Sequence, residues 1–234
     1  MDSMTAQIGD SIRYAGEYYD LVGVSPATPR DPLFDPERFG ISTYSGCTAC
    51  RRGYIASYGL RENRLVLEDL KINVRDPEWE EELKRLTELK EIRRYLPPHR
   101  RGPKPQRKPM KLGPCGPAIH GLRPVPPAYP MTPFAFSDNY HDIGLPLPFT
   151  GGLLLGDGFI HKLYEHMGFH PAWKYERVIE LIFADGVLTV AHDRSSEMER
   201  VRETQAGSRE QASERFSSLE ALVGWIESSF DRRY

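Results

Sequence analysis

Three histidines, His161, His166 and His170, fall within the run HKLYEHMGFH, and imidazole is the side chain that most readily acts as a general base or metal ligand near neutral pH. Only His166 and His170 have the i, i+4 spacing that places two ring nitrogens on one helix face, and Gly168 between them is a natural helix stop. Glu165 precedes His166 without completing an HExxH motif, so the run reads as polar residues flanking Met167 and Phe169. His192 and Asp193 have the types of an imidazole oriented by a carboxylate. No nucleophile accompanies them, and the pair reads as a strand end.

Cys47 and Cys50 form a C-x2-C that, with Cys115 and His120, has the ligand types of a Cys3His zinc site. The second half of that set lies beyond an intervening hairpin and helix, which is loose for a tetrahedral centre. The reading therefore assigns no metal and no cofactor. Gly151, Gly152, Gly156 and Gly158 in TGGLLLGDGFI suggest a phosphate loop, but Asp157 stands where GxxxxGK[ST] needs lysine, and its charge repels phosphate. They read as turn glycines around a buried strand.

Charge gives a stronger signal. From Lys90 to Arg123 ten Lys and Arg face one acid, Glu91, a net +9 in a chain of −2, which leaves −11 for the remainder. Prolines from Pro97 to Pro133 crowd the same stretch and predict extended backbone, since they cannot donate to a helix or ladder. Arg100, Arg101, Lys104, Arg107, Lys108 and Lys111 are the candidate binding residues, suited to a protein or polyanionic partner. Nucleic acid stays open as a partner, because few aromatic residues interleave the charges.

The elements that hold these groups read as antiparallel hairpins with helices appended, an α+β class. Hairpins are expected at Ser11–Val24, at Gly53–Ile72 around Arg61–Arg64, and at Tyr175–Ala191 around Asp185-Gly186. Asp76 and Pro77 predict a helix start with an apolar stripe of Trp79, Leu83, Leu86, Leu89 and Ile92, ended by Pro97. Asp157–Met167 is expected as a short amphipathic helix capped by Asp157. Glu197–Ala212 is read as a solvated helix or loop, and Ser217 with Glu220 as the capping box of a last helix. Residues 1–96 and 134–234 are taken as two lobes sharing one core, joined by an insert or linker at 97–133. No run of eighteen apolar residues exists, so no membrane helix is expected, and the polar first ten residues and three cysteines suggest the cytoplasm.

Two segments, CRRGYIASYGLRENRLVLEDL from Cys50 to Leu70 and Pro148–Ser195 with FTGGLLLGDGFI, YEHMGFHPAWKYERVIELIF, DGVLT and HDRS, resemble a family of uncharacterised bacterial proteins. That family shares an Arg-Gly-Tyr hairpin and a Tyr-x-x-Met-Gly-Phe element ahead of an acidic, apolar hairpin. The resemblance implies no established activity and no catalytic residue. Relatives tend to carry tryptophan where Arg51 and Tyr58 stand, and the basic insert is not a general feature of the family. The sequence thus points to a non-enzymatic binding or interaction protein, with a hydrolase or metal-assisted enzyme using the C-terminal histidines as the alternative.

Overall fold

The computed structural model describes residues 5–27, 33–97, 100, 114–128, 135–166 and 168–212. Three hairpins supply most of it: β1 (Asp10–Tyr14) with β2 (Glu17–Pro26), β3 (Tyr54–Arg61) with β4 (Arg64–Ile72), and β8 (Tyr175–Ala184) with β9 (Val187–Asp193). Each turns through two residues at positive φ: Ala15 and Gly16, Glu62 and Asn63, Asp185 and Gly186. That turn geometry has the twist of the strands it joins.

The hairpins connect edge to edge. β1 pairs with β3 in parallel, whereas the other pairs among the described strands are antiparallel, β2 with β7 (Gly151–Phe159) and β7 with β8 included. At the far side β9 meets β4 through Arg64 and Val187. There the Leu65 N–H donates to the Gly186 carbonyl at 2.8 Å, and the Leu188 N–H to the Asn63 carbonyl at 2.9 Å. Since β3 and β4 are already paired, the order β3-β1-β2-β7-β8-β9-β4 returns to its start and seven strands close into a ring. The short strands β5 (Asp138–Tyr140) and β6 (Leu145–Pro146) pair with β4 beyond the closure.

Alternation fills the ring. Ile12, Tyr19, Leu21, Ala56, Tyr58, Leu153, Leu155, Leu181 and Phe183 are all buried in one core, contributed by both halves of the chain. In β4, Leu65 and Leu67 face inward, a bulge at Glu68 shifts the register, and Leu70 and Ile72 then resume the inward face. The bulged Glu68 lies over Gly59, where any Cβ would collide with its carboxylate, and pairs with Arg13 of β1. At the opposite end Asp10 is 5% exposed and accepts both from the Arg52 guanidinium and, at 2.8 Å, from the Ala56 N–H.

Helix α1 (Pro77–Tyr95) begins as its sequence dictates, with Asp76 accepting from the Glu78 N–H at 2.9 Å and proline in the first turn. Leu86 is buried, but Leu89 and Ile92 of the expected stripe are exposed. Helix α2 (Ser195–Ala212) takes up the segment read as helix or loop, with Asp193 accepting from the Ser195 N–H at its start. Around Asp157 the helix expectation fails. β7 runs on to Phe159, pairing Asp157 with Arg177 and Phe159 with Tyr175, and only a 3-10 turn at His161–Leu163 follows. Within the proline-rich stretch, residues 114–128 lie along β5: Val125 bridges Asn139, the Gly116 N–H donates to Asp138, and the Tyr140 hydroxyl donates to the Pro117 carbonyl. The expected final helix at 217–230 lies outside the described residues. Among those described, no helix is long and apolar enough to cross a membrane.

Candidate functional site

Between β7 and β8 the chain leaves the ring, crosses the outer face of these strands and returns, and this crossing gathers the three histidines. Phe159 is the hub. His170 packs on it at 4.7 Å between ring centroids, Tyr175 at 5.3 Å, His161 at 5.6 Å and Tyr164 at 6.5 Å. Room for the cluster comes from Gly156, because a Cβ there would sit 2.7 Å from Cγ of Tyr175. The ring of Tyr175 lies against the strand backbone, and its hydroxyl donates to Asp20 of β2 at 3.0 Å.

Charge inside the crossing is paired. Lys174 is 1% exposed, and its ammonium donates to Glu165 at 2.8 Å, with the Trp173 ring 5.3 Å away. Burying an ammonium without such a carboxylate would cost several kcal/mol. Helix α2 closes the far side: Arg202 donates to the Trp173 and Tyr175 carbonyls, and Met198 packs against Leu154, Ala172, Tyr175 and Val178.

The three histidines differ in surroundings. His161 and His166 are exposed, and Tyr164 and His166 share a hydrogen bond of 3.0 Å between hydroxyl and Nδ1. His170 is half-buried, its Nδ1 buried with no hydrogen-bond partner among the described residues. Burial pushes the His170 imidazole below its ordinary value of 6.5, and the Lys174 ammonium adds to the effect. Depression of a histidine pKa means the folded state binds fewer protons than the unfolded chain. Stability from this group is therefore complete above pH 6.5 and is lost as pH falls towards the lowered folded value. Replacement of His170 by Phe removes that loss. Melting temperatures of the variant should decline less steeply than those of the parent below pH 6.5, and parallel curves would sink the assignment.

The other expected sites are dispersed. His192 is exposed on β9 opposite Glu180, while Asp193 is spent at the start of α2, where hydrogen bonds from the Ser195 side chain and backbone hold its carboxyl below the ordinary range. Asp157 accepts from the Gly158 N–H. Gly151, Gly152, Gly156 and Gly158 all lie in β7, so no phosphate loop forms there. Cys50 is buried in a turn closed by its N–H to the Cys47 carbonyl, and its thiol donates to the Tyr54 carbonyl. Cys115 instead lies beside the Val74 carbonyl and His120 bonds the Ile143 carbonyl. Burial raises the pKa of both the Cys50 and Cys115 thiols, with Asp138 adding to the second, which disfavours the nucleophilic thiolate. Among the described residues no three His, Cys, Asp or Glu side chains converge as metal ligands.

Of the six candidate binding residues, Arg100 is exposed, with its N–H donating to the Pro97 carbonyl at 2.9 Å. Arg101, Lys104, Arg107, Lys108 and Lys111 lie outside the described residues. The Phe159 hub was not anticipated. Its one sequence signal is the density of aromatic residues and histidines between Phe159 and Tyr175, which marks a cluster without naming its centre. No family model matches the chain, and neither a curated protein nor a solved structure matches it.

Proposed function

We propose that the chain is a non-enzymatic binding protein of the cytoplasm that engages a protein or other polyanion through its basic segment, with Arg100, Arg101, Lys104, Arg107, Lys108 and Lys111 as the contact residues. One observation carries this reading: the basic charge of the chain is concentrated between Lys90 and Arg123, while the carboxylates that neighbour the candidate histidines are spent on the fold. Asp193 starts a helix, Glu165 neutralises Lys174, and burial pushes the Cys50 and Cys115 thiols up from their ordinary value. The +9 stretch, by contrast, is concentrated charge in a chain otherwise acidic. Binding through such a segment is mainly electrostatic and indifferent to sequence.

Duplex DNA and polyglutamate are suitable probes. With roughly six phosphates neutralised, log K on DNA should fall against log salt with a slope of about −5. Changing the six residues to Gln should abolish binding to both probes and leave the melting temperature nearly unchanged, the outcome that a binding arm predicts because charges that make no contact with the core contribute little to stability. A large fall in melting temperature would instead make the segment an internal strap. The alternative, a histidine-based hydrolase, draws on the gathering of His161, His166 and His170 around Phe159 and Tyr164. Ester hydrolysis lost in His166→Ala and His170→Ala, but kept in the Gln variant, would favour it.

A further inference from the structure

A turn held by several hydrogen bonds carries two of the three cysteines. The Cys50 N–H donates to the Cys47 carbonyl at 3.2 Å, and the Gly53 N–H donates to the Cys50 carbonyl at 3.2 Å, so Cys50 ends one tight turn and begins the next. The N-terminal segment grips the same loop. Gln7 donates from Nε2 to the Thr48 carbonyl at 2.8 Å and accepts at Oε1 from the Arg51 N–H at 3.1 Å, while the Ile8 N–H donates to the Ala49 carbonyl at 2.8 Å. The Ser45 hydroxyl donates to the Cys47 carbonyl at 3.0 Å.

The spacing that results suits a particular bond. A turn closed from residue i to i+3 keeps its end Cα atoms within about 7 Å, and a disulfide spans about 4.4–6.8 Å between Cα atoms. Cys47 and Cys50 hold those end positions, so a bond between them fits the turn as it stands. The two differ in access. Cys47 is half-buried between exposed Gly46 and Thr48, whereas Cys50 is 2% exposed, its thiol donating to the Tyr54 carbonyl. Burial pushes the Cys50 thiol up and the Arg52 charge opposes it, so the first thiolate belongs to Cys47. A bond between the two would enclose only Thr48 and Ala49, which staples little of the chain and leaves chemistry, not stability, as its use.

We propose that Cys47 and Cys50 form a reversible dithiol–disulfide site that is oxidised by the disulfide of a low-molecular-weight thiol. The inference stands apart from the binding reading above. The Cys47 thiol gives its proton to water, and the thiolate attacks one sulfur of the small disulfide, forming a mixed disulfide on Cys47 as the S–S bond of the small molecule breaks. The released thiolate takes a proton. Cys50 then loses its proton and attacks the Cys47 sulfur, which forms the Cys47–Cys50 bond and expels the second small thiolate, protonated in turn. Two electrons pass from the protein to the small disulfide, which leaves as two thiols, and no cofactor is needed. The clamped turn supplies the second step with a sulfur already held close.

Glutathione disulfide is the probe, used on the full chain carrying Cys115→Ser so that two thiols remain. After exposure to glutathione buffers of rising oxidised fraction, acid quenching and alkylation, the intact mass should show loss of both alkylation sites and of two hydrogens, reversed by dithiothreitol. Peptide mapping should place the bond between Cys47 and Cys50. Cys50→Ser should stop at one glutathione on Cys47, and Cys47→Ser should slow glutathione release roughly tenfold or more. The measurement on Cys115→Ser needs no change at the buried thiol, so it stands even where Cys50→Ser fails to fold. A lasting glutathione adduct on the Cys115→Ser chain, with no internal bond, overturns the proposal, because it shows the two sulfurs held apart. Persistence of both thiols at every glutathione ratio overturns it too, as does a bond in the parent chain that pairs Cys115 with either residue.

Discussion

Asp10→Ala should lower the melting temperature by roughly 6–20 °C, the largest effect expected of any single polar substitution in the described structure. The carboxylate sits at one end of the ring, where Arg52 donates to it through both terminal nitrogens and the Ala56 N–H donates to it at 2.8 Å. Burial alone would disfavour the Arg52 charge, but the Asp10 carboxylate outweighs it and holds the guanidinium pKa above its ordinary value. Truncating Asp10 removes the acceptor of a strand N–H and of both terminal nitrogens of Arg52, whose Nε alone keeps a partner in the Tyr54 carbonyl at 2.8 Å. Removing one member of such a buried pair costs about 3–5 kcal/mol, whereas replacing both by apolar groups is often close to neutral. The double variant Asp10→Leu, Arg52→Met should accordingly be more stable than Asp10→Ala. Thermal melts of the three proteins decide the matter, and a loss under about 1 kcal/mol in Asp10→Ala would show the pair to be solvated.

Gly186→Ala should be nearly as damaging, by about 2–4 kcal/mol. Gly186 is at φ 75°, and a Cβ there would overlap the Leu147 carbonyl oxygen, a backbone atom that cannot swing aside. The same residue accepts the Leu65 N–H at 2.8 Å and donates to the Phe149 carbonyl at 2.7 Å, so relief of the clash opens the seam between β9 and β4. Gly16 is the control. At φ 86° it carries the same conformational strain, but a Cβ added there meets nothing within 4 Å. Gly16→Ala should cost only about 1 kcal/mol. Equal losses in the two variants would mean that strain alone, and not closure of the ring, accounts for the effect.

Local order was legible in the sequence wherever a turn or cap has its own chemistry. Asp185-Gly186 announces a hairpin because that dipeptide tolerates positive φ, and Asp76-Pro77 announces a helix because a carboxylate and a missing N–H suit its first turn. Partners across the sheet were not legible. Alternation tells which side of a strand is buried, but Val24 opposite Leu153 and Arg64 opposite Val187 are pairings over more than a hundred residues, and nothing in either segment encodes the other. Phe159, Ile160, Leu163 and Tyr164 have helical spacing, yet the ladder with β8 holds the chain extended through Phe159, leaving only a 3-10 turn at His161–Leu163, and Gly156 makes room for Tyr175. Tertiary pairing overrode local periodicity. Of the site, the grouping of His161, His166 and His170 was visible in their spacing. Their arrangement about Phe159, and the burial of Lys174 against Glu165, depend on where the crossing lands.

Ring closure also sets a timetable for biosynthesis. β2 finds its outer neighbour only when β7 is made, with Pro26 and Gly151 as partners 125 positions apart, and β4 waits as long for Val187. At roughly 5–20 residues per second the nascent first half spends about 6–25 s with the backbone groups of β2 unpaired along one edge. Those groups are a template for pairing with a neighbouring chain on the same message. Slower elongation lengthens that interval, so the yield of folded protein depends less on the stability of the finished ring than on what shields the β2 edge until β7 emerges.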